Sequence, residues 1–490
     1  MDKAAYLKEI DQVIESGPFK DNWDSLAAFE VPLWYKNAKF GIFIHWGVYS
    51  VPAYKNEWYS RNMYIQGTTE YEHHIKTYGA HKDFGYKDFI PMFKAEKFDA
   101  AEWADLFEKA GAKYVVPVAE HHDGFQMYRS DISHYNAYEM GPKKDTLGAL
   151  KQEFDKRGIE LGTSSHRVEH WFFMSHGKEF ESDIKEPLKC GDFYWPSMEE
   201  PNHHDLYSTP APSIEYLEDW LIRTCEIVDK YKPKLMYFDW WIQHSAVKPY
   251  LKKFAAYYYN KANEWGIQVA IDYKHDAFAF GTAVVDIERG QFADIKPFFW
   301  QTDTAVARNS WCYTEDNHYK TANEIIKMMI DVVSKNGSLL LNIGPKADGT
   351  IPEEDKNILL KIGEWMAVNG EAIYDTHPYR VSGEGPTTVE EGQFSDGKET
   401  MYTSEDIRFT MKGSNLYAIV MVSPKDGKVN ITTLGKQDSS IKANFNGIIK
   451  VVELLGSKQT VKWEREEEAL HLSIDPVEVD MPIVFKINLD

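Results

Sequence analysis

The sequence predicts an α/β fold, a (β/α)8-type barrel followed by an antiparallel β-sandwich. Three observations predict it. Eight short apolar runs lie between residues 39 and 345, too continuously apolar to be half-buried strands. Amphipathic helical stretches return to several of them through a single glycine. From about His377 the helical period disappears and short alternating runs take over, broken by Gly, Asp, Ser and Lys. The expected division is a catalytic barrel over residues 1–376 and a sandwich over 377–490.

The runs, in order, are KFGIFIHWG (39–47), YVVPVAEHHDGF (114–125), IELGTSSH (159–166) and KLMYFDWW (234–241). IQVAIDY (267–273), AVVDIERG (283–290), FFWQTDTAV (298–306) and SLLLNIGP (338–345) complete the set. Helices ending at Gly111, Gly158, Gly266 and Gly337 precede the second, third, fifth and eighth. Glycine just past a helix end supplies the left-handed cap. A helix over about 213–231 stops at Pro233, and the fourth run follows. Asp99 with Glu102, and Thr321 with Glu324, have capping-box spacing at helix starts. Short helix-to-strand loops require parallel pairing, and eight such strands close better as a barrel than as an open sheet. No G-x-G-x-x-G follows the first strand, which weakens a dinucleotide fold. The long connections, at 48–98, 122–144 and 167–212, all follow strands. That asymmetry puts the chemistry at the strand C-termini.

A formal net charge of −21 disfavours nucleic acid and anionic membrane surfaces as partners. No apolar run is long enough to insert into a membrane. Cys190, Cys225 and Cys312 form neither a C-x-x-C pair nor a disulfide framework, so redox chemistry does not fix the compartment. The first residues read as an amphipathic helix rather than a signal peptide. Localisation stays open between a secreted or periplasmic protein whose leader has been removed and a cytoplasmic one. Nothing in the sequence fixes the oligomeric state.

The catalytic candidates sit at strand ends. Alternation puts Leu235, Tyr237 and Asp239 on one face, so a carboxylate closes an apolar strand. In AVVDIERG, Asp286 and Glu288 share a face; Glu288 lies nearer the mouth and Asp286 reads as a supporting group. Arg289 could neutralise either one. Two carboxylates on nearby barrel strands suit glycoside hydrolysis, one attacking or activating water and the other protonating the leaving oxygen. His45, His121 and His122 gather at the ends of strands one and two. No Cys is near them and there is no H-E-x-x-H, so hydrogen bonding to sugar hydroxyls is the favoured use and no metal or cofactor is expected. Glu57-Trp58-Tyr59 offers a hydroxyl-binding carboxylate beside a stacking ring, and Trp300 and Trp311 are further stacking candidates.

Four long motifs then carry a resemblance: KFGIFIHWGVYSVPAYKNEWYSRNMY, AEHHDGFQMY, YFDWW and LLLNIGPKADGTIP. Together, from about Trp34 to Tyr374, they resemble the α-L-fucosidases of glycoside hydrolase family 29. The resemblance implies retaining release of terminal α-L-fucose from oligosaccharides or glycoconjugates, without a metal. It implies Asp239 as nucleophile, and His45, Glu57, Trp58, His121 and His122 around the fucose. Glu288 looks like the acid/base of members acting on branched glycans, which implies a preference for α1,3/4-linked fucose. Trp240 and Trp241 stand where many relatives have glycines, and SSHRVEHW replaces a Tyr-rich segment. With His244, these tryptophans are expected to crowd the leaving-group side. The sandwich is expected to support the barrel without supplying a catalytic carboxylate. The alternatives from other classes are a sugar-binding barrel without catalysis and a metal-dependent barrel hydrolase.

Overall fold

The computed structural model describes residues 2–490 except 398, 437–444 and 478. Eight parallel strands close into a barrel in chain order: β1 (Phe40–Ile44), β2 (Tyr114–Glu120), β3 (Glu160–Ser165), β4 (Leu235–Phe238), β5 (Ala270–Tyr273), β6 (Val284–Glu288), β7 (Trp300–Ala305) and β8 (Gly337–Ile343). β8 pairs back onto β1, so no edge strand is left open. Each strand falls within one of the eight apolar runs, save that β8 begins one residue before its run, at Gly337. Their burial on both faces explains why the runs carry no two-residue period.

A first helix, α1 (Lys3–Ser16), lies outside the barrel against α4 (Ile214–Tyr231) and α5 (Lys248–Trp265). It is held there by an ion pair from Lys3 to Asp219 at 2.7 Å. The other long helices are α2 (Ala100–Ala110), α3 (Thr146–Arg157), α6 (Ala322–Ser334) and α7 (Glu353–Asn369). Among the described residues, β5 and β6 run to the next strand without a helix. That side of the barrel is therefore clad more thinly than the repeat in the sequence suggests. Gly111, Gly158 and Gly266 take positive φ as caps. At the end of α6 the left-handed residue is Asn336 (φ 75°) rather than Gly337. Gly337 instead opens β8, where a Cβ would press on the Trp300 ring at 2.8 Å. Thr321 and Glu324 form a complete capping box, and Asp99 accepts from the amides of Ala101 and Glu102.

Beyond the barrel, β9 (His377–Glu384), β10 (Ile407–Lys412), β11 (Asn415–Val420), β13 (Ile449–Leu454) and β16 (Ile483–Leu489) form one sheet. The order is β13-β16-β11-β10-β9. β12 (Lys428–Ile431), β14 (Lys462–Arg465) and β15 (Leu470–Ser473) form the second. Phe409, Leu416, Phe485, Val429 and Leu472 fill one core between the two sheets. Tyr417, Ile419 and Val484 face the other way and join the barrel core. Arg408 and Asp331, paired at 2.5 Å, fix the seam with both charges buried. Among the described residues, no helix is long and apolar enough to cross a membrane.

Candidate active site

A cavity of about 730 Å³ opens at the C-terminal ends of the strands. Its lining includes His45, Glu57, Trp58, His121, His122, Asp239 and Glu288. Those residues end β6, directly follow β1, β2 and β4, or sit in the long loop after β1, so the barrel collects side chains that are scattered along the chain.

Asp239 follows β4 directly. Its Oδ2 accepts from His166 Nδ1 at 2.9 Å and lies 3.4 Å from His122 Nε2. Its Oδ1 accepts from the Trp240 amide at 2.8 Å and from Lys274 Nζ at 3.3 Å. Burial would raise the carboxyl, but Lys274 and the two histidines outweigh it and hold Asp239 well below the usual carboxylate range. Burial works against protonating His122. The charges of Glu169, 3.5 Å away, and of Asp239 prevail and lift it to about 9. Its Nδ1 donates to the His166 carbonyl at 2.9 Å, so the imidazolium spends one N–H on the backbone and aims the other at Asp239.

Glu288 ends β6. Lys274 Nζ donates to its Oε2 at 2.8 Å and also lies 3.5 Å from Asp303 Oδ2. Burial, with the negative charges of Asp239 and Asp303, pushes Glu288 up to about 7 against the pull of Lys274. Lys274 itself is buried, yet its carboxylate neighbours hold its ammonium well above the ordinary range. One fixed cation therefore bridges two carboxylates whose protonation is driven in opposite directions, the pattern that separates an acid from a nucleophile.

Arg289 does not neutralise these acids. It takes positive φ (45°), which turns its guanidinium away to the Ala307 and Ser310 carbonyls and over the Trp311 ring at 4.4 Å. Asp286 lies deeper in the barrel, where Gln301 Nε2 donates to it at 2.9 Å; burial and Asp303 push its carboxyl well up.

Trp300 is a correction. It opens β7 rather than ending it, and so lies at the opposite end of the barrel from the cavity. Its ring is fully buried against Phe292, and Nε1 donates to the Lys335 carbonyl at 3.0 Å. Trp311, in the loop after β7, does line the cavity, and its amide donates to Glu57 Oε2 at 3.1 Å. Trp58 packs edge-on to His122 and nearly parallel to Trp240, at 6.3 Å. Trp240 faces the cavity. Trp241 and His244 instead stack on each other inside the protein at 4.6 Å. Sequence reasoning missed Lys274, His166 and Asp303 as members of the site, along with His203 from the loop after β3 and Phe394 from beyond the barrel.

His45, His121 and His166 bring ring nitrogens within 4.8 Å of one another, as do His122 and His166 with Asp239 Oδ atoms, so either set could hold a metal ion. Much of that donor set is already in use. His45 Nδ1 meets Asn342 Oδ1 at 2.6 Å, and His166 Nε2 meets Ser164 Oγ at 2.9 Å while its Nδ1 serves Asp239. His121 Nδ1, by contrast, is buried without a hydrogen-bond partner.

Comparison with known proteins fits this geometry. Residues 6–371 match the family model for α-L-fucosidase, and residues 400–488 match that for the α-L-fucosidase C-terminal domain. Tissue α-L-fucosidase of Rattus norvegicus is 31% identical over 91% of this chain and 86% of its own length. The Homo sapiens tissue enzyme is 30% identical over 93% and 88%. The crystal structure of Thermotoga maritima α-fucosidase superposes with a TM-score of 0.74 at 29% identity, covering 96% of this chain and all of that one. A matched family model across most of the chain, a barrel mouth bearing paired carboxylates and a matched C-terminal domain agree: the chain belongs to the α-L-fucosidase family.

Proposed function

We propose that this chain releases terminal α-L-fucose by double displacement, with net retention at the anomeric carbon. The observation that carries the reading is the Asp239–Lys274–Glu288 bridge. Distances of 3.3 and 2.8 Å from the same nitrogen limit the two carboxylate oxygens to a separation of about 6 Å or less. Retaining pairs stand about 5–5.5 Å apart, whereas inverting pairs stand at roughly 6.5–9.5 Å to admit a water between them.

In the first step an Asp239 oxygen attacks C1 of the fucosyl group. The C1–O bond to the leaving sugar breaks, and the Glu288 proton passes to the departing oxygen. Glu288 then carries a negative charge, which the Lys274 ammonium stabilises at 2.8 Å. In the second step Glu288 takes a proton from water, that water attacks C1, and Asp239 leaves as carboxylate. His122 and His166 keep the free Asp239 ionised and oriented for attack, and they receive its charge again when it leaves. Around the sugar, His45, His121 and Glu57 are the hydroxyl-binding groups, and the unpartnered His121 Nδ1 supports that use. Trp58 supplies a face for the ring.

The natural substrate class is a fucosylated oligosaccharide or glycoconjugate. The finer reading is a preference for α1,3/4-linked fucose on branched glycans, supported by the crowding of Trp58, Trp240 and His203 beside Asp239. Two measurements test these points. NMR of the first-formed sugar should show the α anomer, and 2-fluoro-fucosyl fluoride should add mass to the peptide holding Asp239. An initial β anomer, or label elsewhere, overturns the mechanism. Comparison of kcat/KM on a Lewis trisaccharide and on α1,2-fucosyl lactose tests linkage; equal values, or the reverse order, overturn that preference.

A further inference from the structure

The cavity wall is completed by a residue from beyond the barrel. Phe394 belongs to the connection between β9 and β10, yet its backbone N–H donates to the Glu288 carbonyl at 2.8 Å. Two further links follow the same path: Asp396 N–H to the Arg289 carbonyl at 3.0 Å, and a reciprocal pair between Gln291 and Gly392 at 2.9 and 3.1 Å. The strap thus runs along the end of β6 as a short extra ribbon. Contact is backbone to backbone, since a Cβ on Gly290 would sit 1.8 Å from the Gly392 oxygen.

A buried carboxylate staples the strap down. Asp396 accepts from Thr304 Oγ1 and from Lys320 Nζ at 2.9 Å, and it lies 3.6 Å from Arg289. Between the staple and the ribbon stands Phe394, in a left-handed conformation (φ 55°) that costs a bulky residue energy to adopt. That conformation does not serve packing, because Phe394 is 62% exposed and lines the cavity.

We propose that Phe394 is the platform for the sugar that carries the fucose, so that leaving-group recognition is supplied in part by the C-terminal portion of the chain. The inference rests on the fucosidase reading above. The position decides which side of the bond the ring serves. His45, His121 and Glu57 gather around the fucosyl group, whereas Phe394 is bonded to the main chain of the proton donor, which must lie against the departing oxygen. An aromatic face there stacks on the apolar C–H face of a pyranose, and remote contact of this kind is used to position the scissile bond.

The test compares two donors. A fucosylated trisaccharide fills the leaving-group side; fucosyl fluoride presents only a fluoride ion there. Phe394→Ala should lower kcat/KM on the trisaccharide on the order of tenfold, as expected for one lost stacking contact, and by several times more than on the fluoride. Phe394→Trp should restore most of the trisaccharide rate, because the face and not the identity of the ring is required. The ring is exposed, so circular dichroism should show both variants folded. Equal losses on the two donors, no loss on either, or failure of the tryptophan variant to restore the trisaccharide rate would overturn the assignment. A wild-type chain that cleaves neither donor overturns the fucosidase reading as well, which distinguishes that failure from one confined to Phe394.

Discussion

Replacing Glu288 by Gln should make the protein more stable in alkali while disabling it. Burial and two neighbouring carboxylates hold this group at about 7, against an ordinary value of 4.5. In the unfolded chain it ionises freely above 4.5. In the folded chain it must either keep its proton or ionise at a cost. A raised carboxyl therefore penalises folding progressively as pH rises from about 4.5 to about 7, and the penalty is complete above that. At about 1.36 kcal/mol per pH unit, the penalty grows by roughly 2.5 kcal/mol between pH 5 and pH 8. Glutamine cannot ionise and is free of it, and its amide oxygen can still accept from Lys274. With an unfolding entropy near 2.1 cal/mol/K per residue spread over the barrel, that difference corresponds to about 3 °C.

The assay is thermal unfolding of both proteins at pH 5 and pH 8, followed by far-ultraviolet circular dichroism. The variant should gain about 3 °C on the parent between the two conditions. In parallel, kcat/KM of the parent on a fucosylated oligosaccharide should fall on an alkaline limb near 7, and that limb should be missing from the residual activity of Glu288→Gln. A melting difference that is flat with pH, or that moves the other way, would show that Glu288 titrates as an ordinary carboxylate paired to Lys274. It could not then be the proton donor.

Three other outcomes follow from the same site. Asp239→Asn should fold normally and lose kcat by orders of magnitude, with no 2-fluoro-fucosyl adduct by mass spectrometry; an active variant removes Asp239 as nucleophile. Lys274→Met should lower stability by about 3–5 kcal/mol in denaturant titration, since three carboxylates lose their shared cation. It should also move the alkaline limb upward, because Lys274 is what pulls Glu288 down; an unmoved limb would mean the cation is not coupled to the acid. Prolonged dialysis against a strong chelator should leave turnover unchanged, and lost activity restored by a divalent ion would revive the histidine clusters as a metal centre.

Much of the fold was legible for one physical reason. Parallel strands enclosed on both faces must be apolar throughout, so each of the eight leaves a run that stands out from its surroundings. The same continuity hides where a strand starts and stops. FFWQTDTAV has no two-residue period to mark its ends, so Trp300 could be read as a mouth residue although it opens β7. Asp239 and Glu288 were legible because a carboxylate after an apolar strand needs a reason to be there. What gives each its protonation state was not, because the partners are distant in sequence: Lys274 is 35 residues from Asp239, and His166 is 73. Arg289 looked like the natural counter-charge because it is adjacent in sequence, but adjacent residues on a strand point to opposite faces, and its positive φ sends the guanidinium elsewhere. Phe394 was the hardest to see. It lies in a Gly-, Ser- and Asp-rich stretch that reads as a linker, and only the ladder to Glu288, Arg289 and Gln291 brings it to the mouth. The strap pairs with the strand end that bears Glu288, the proposed proton donor. A displacement that carried Phe394 away would therefore have to break the hydrogen bond on the Glu288 carbonyl, so the proposed platform for the leaving sugar and the proposed acid would be placed together.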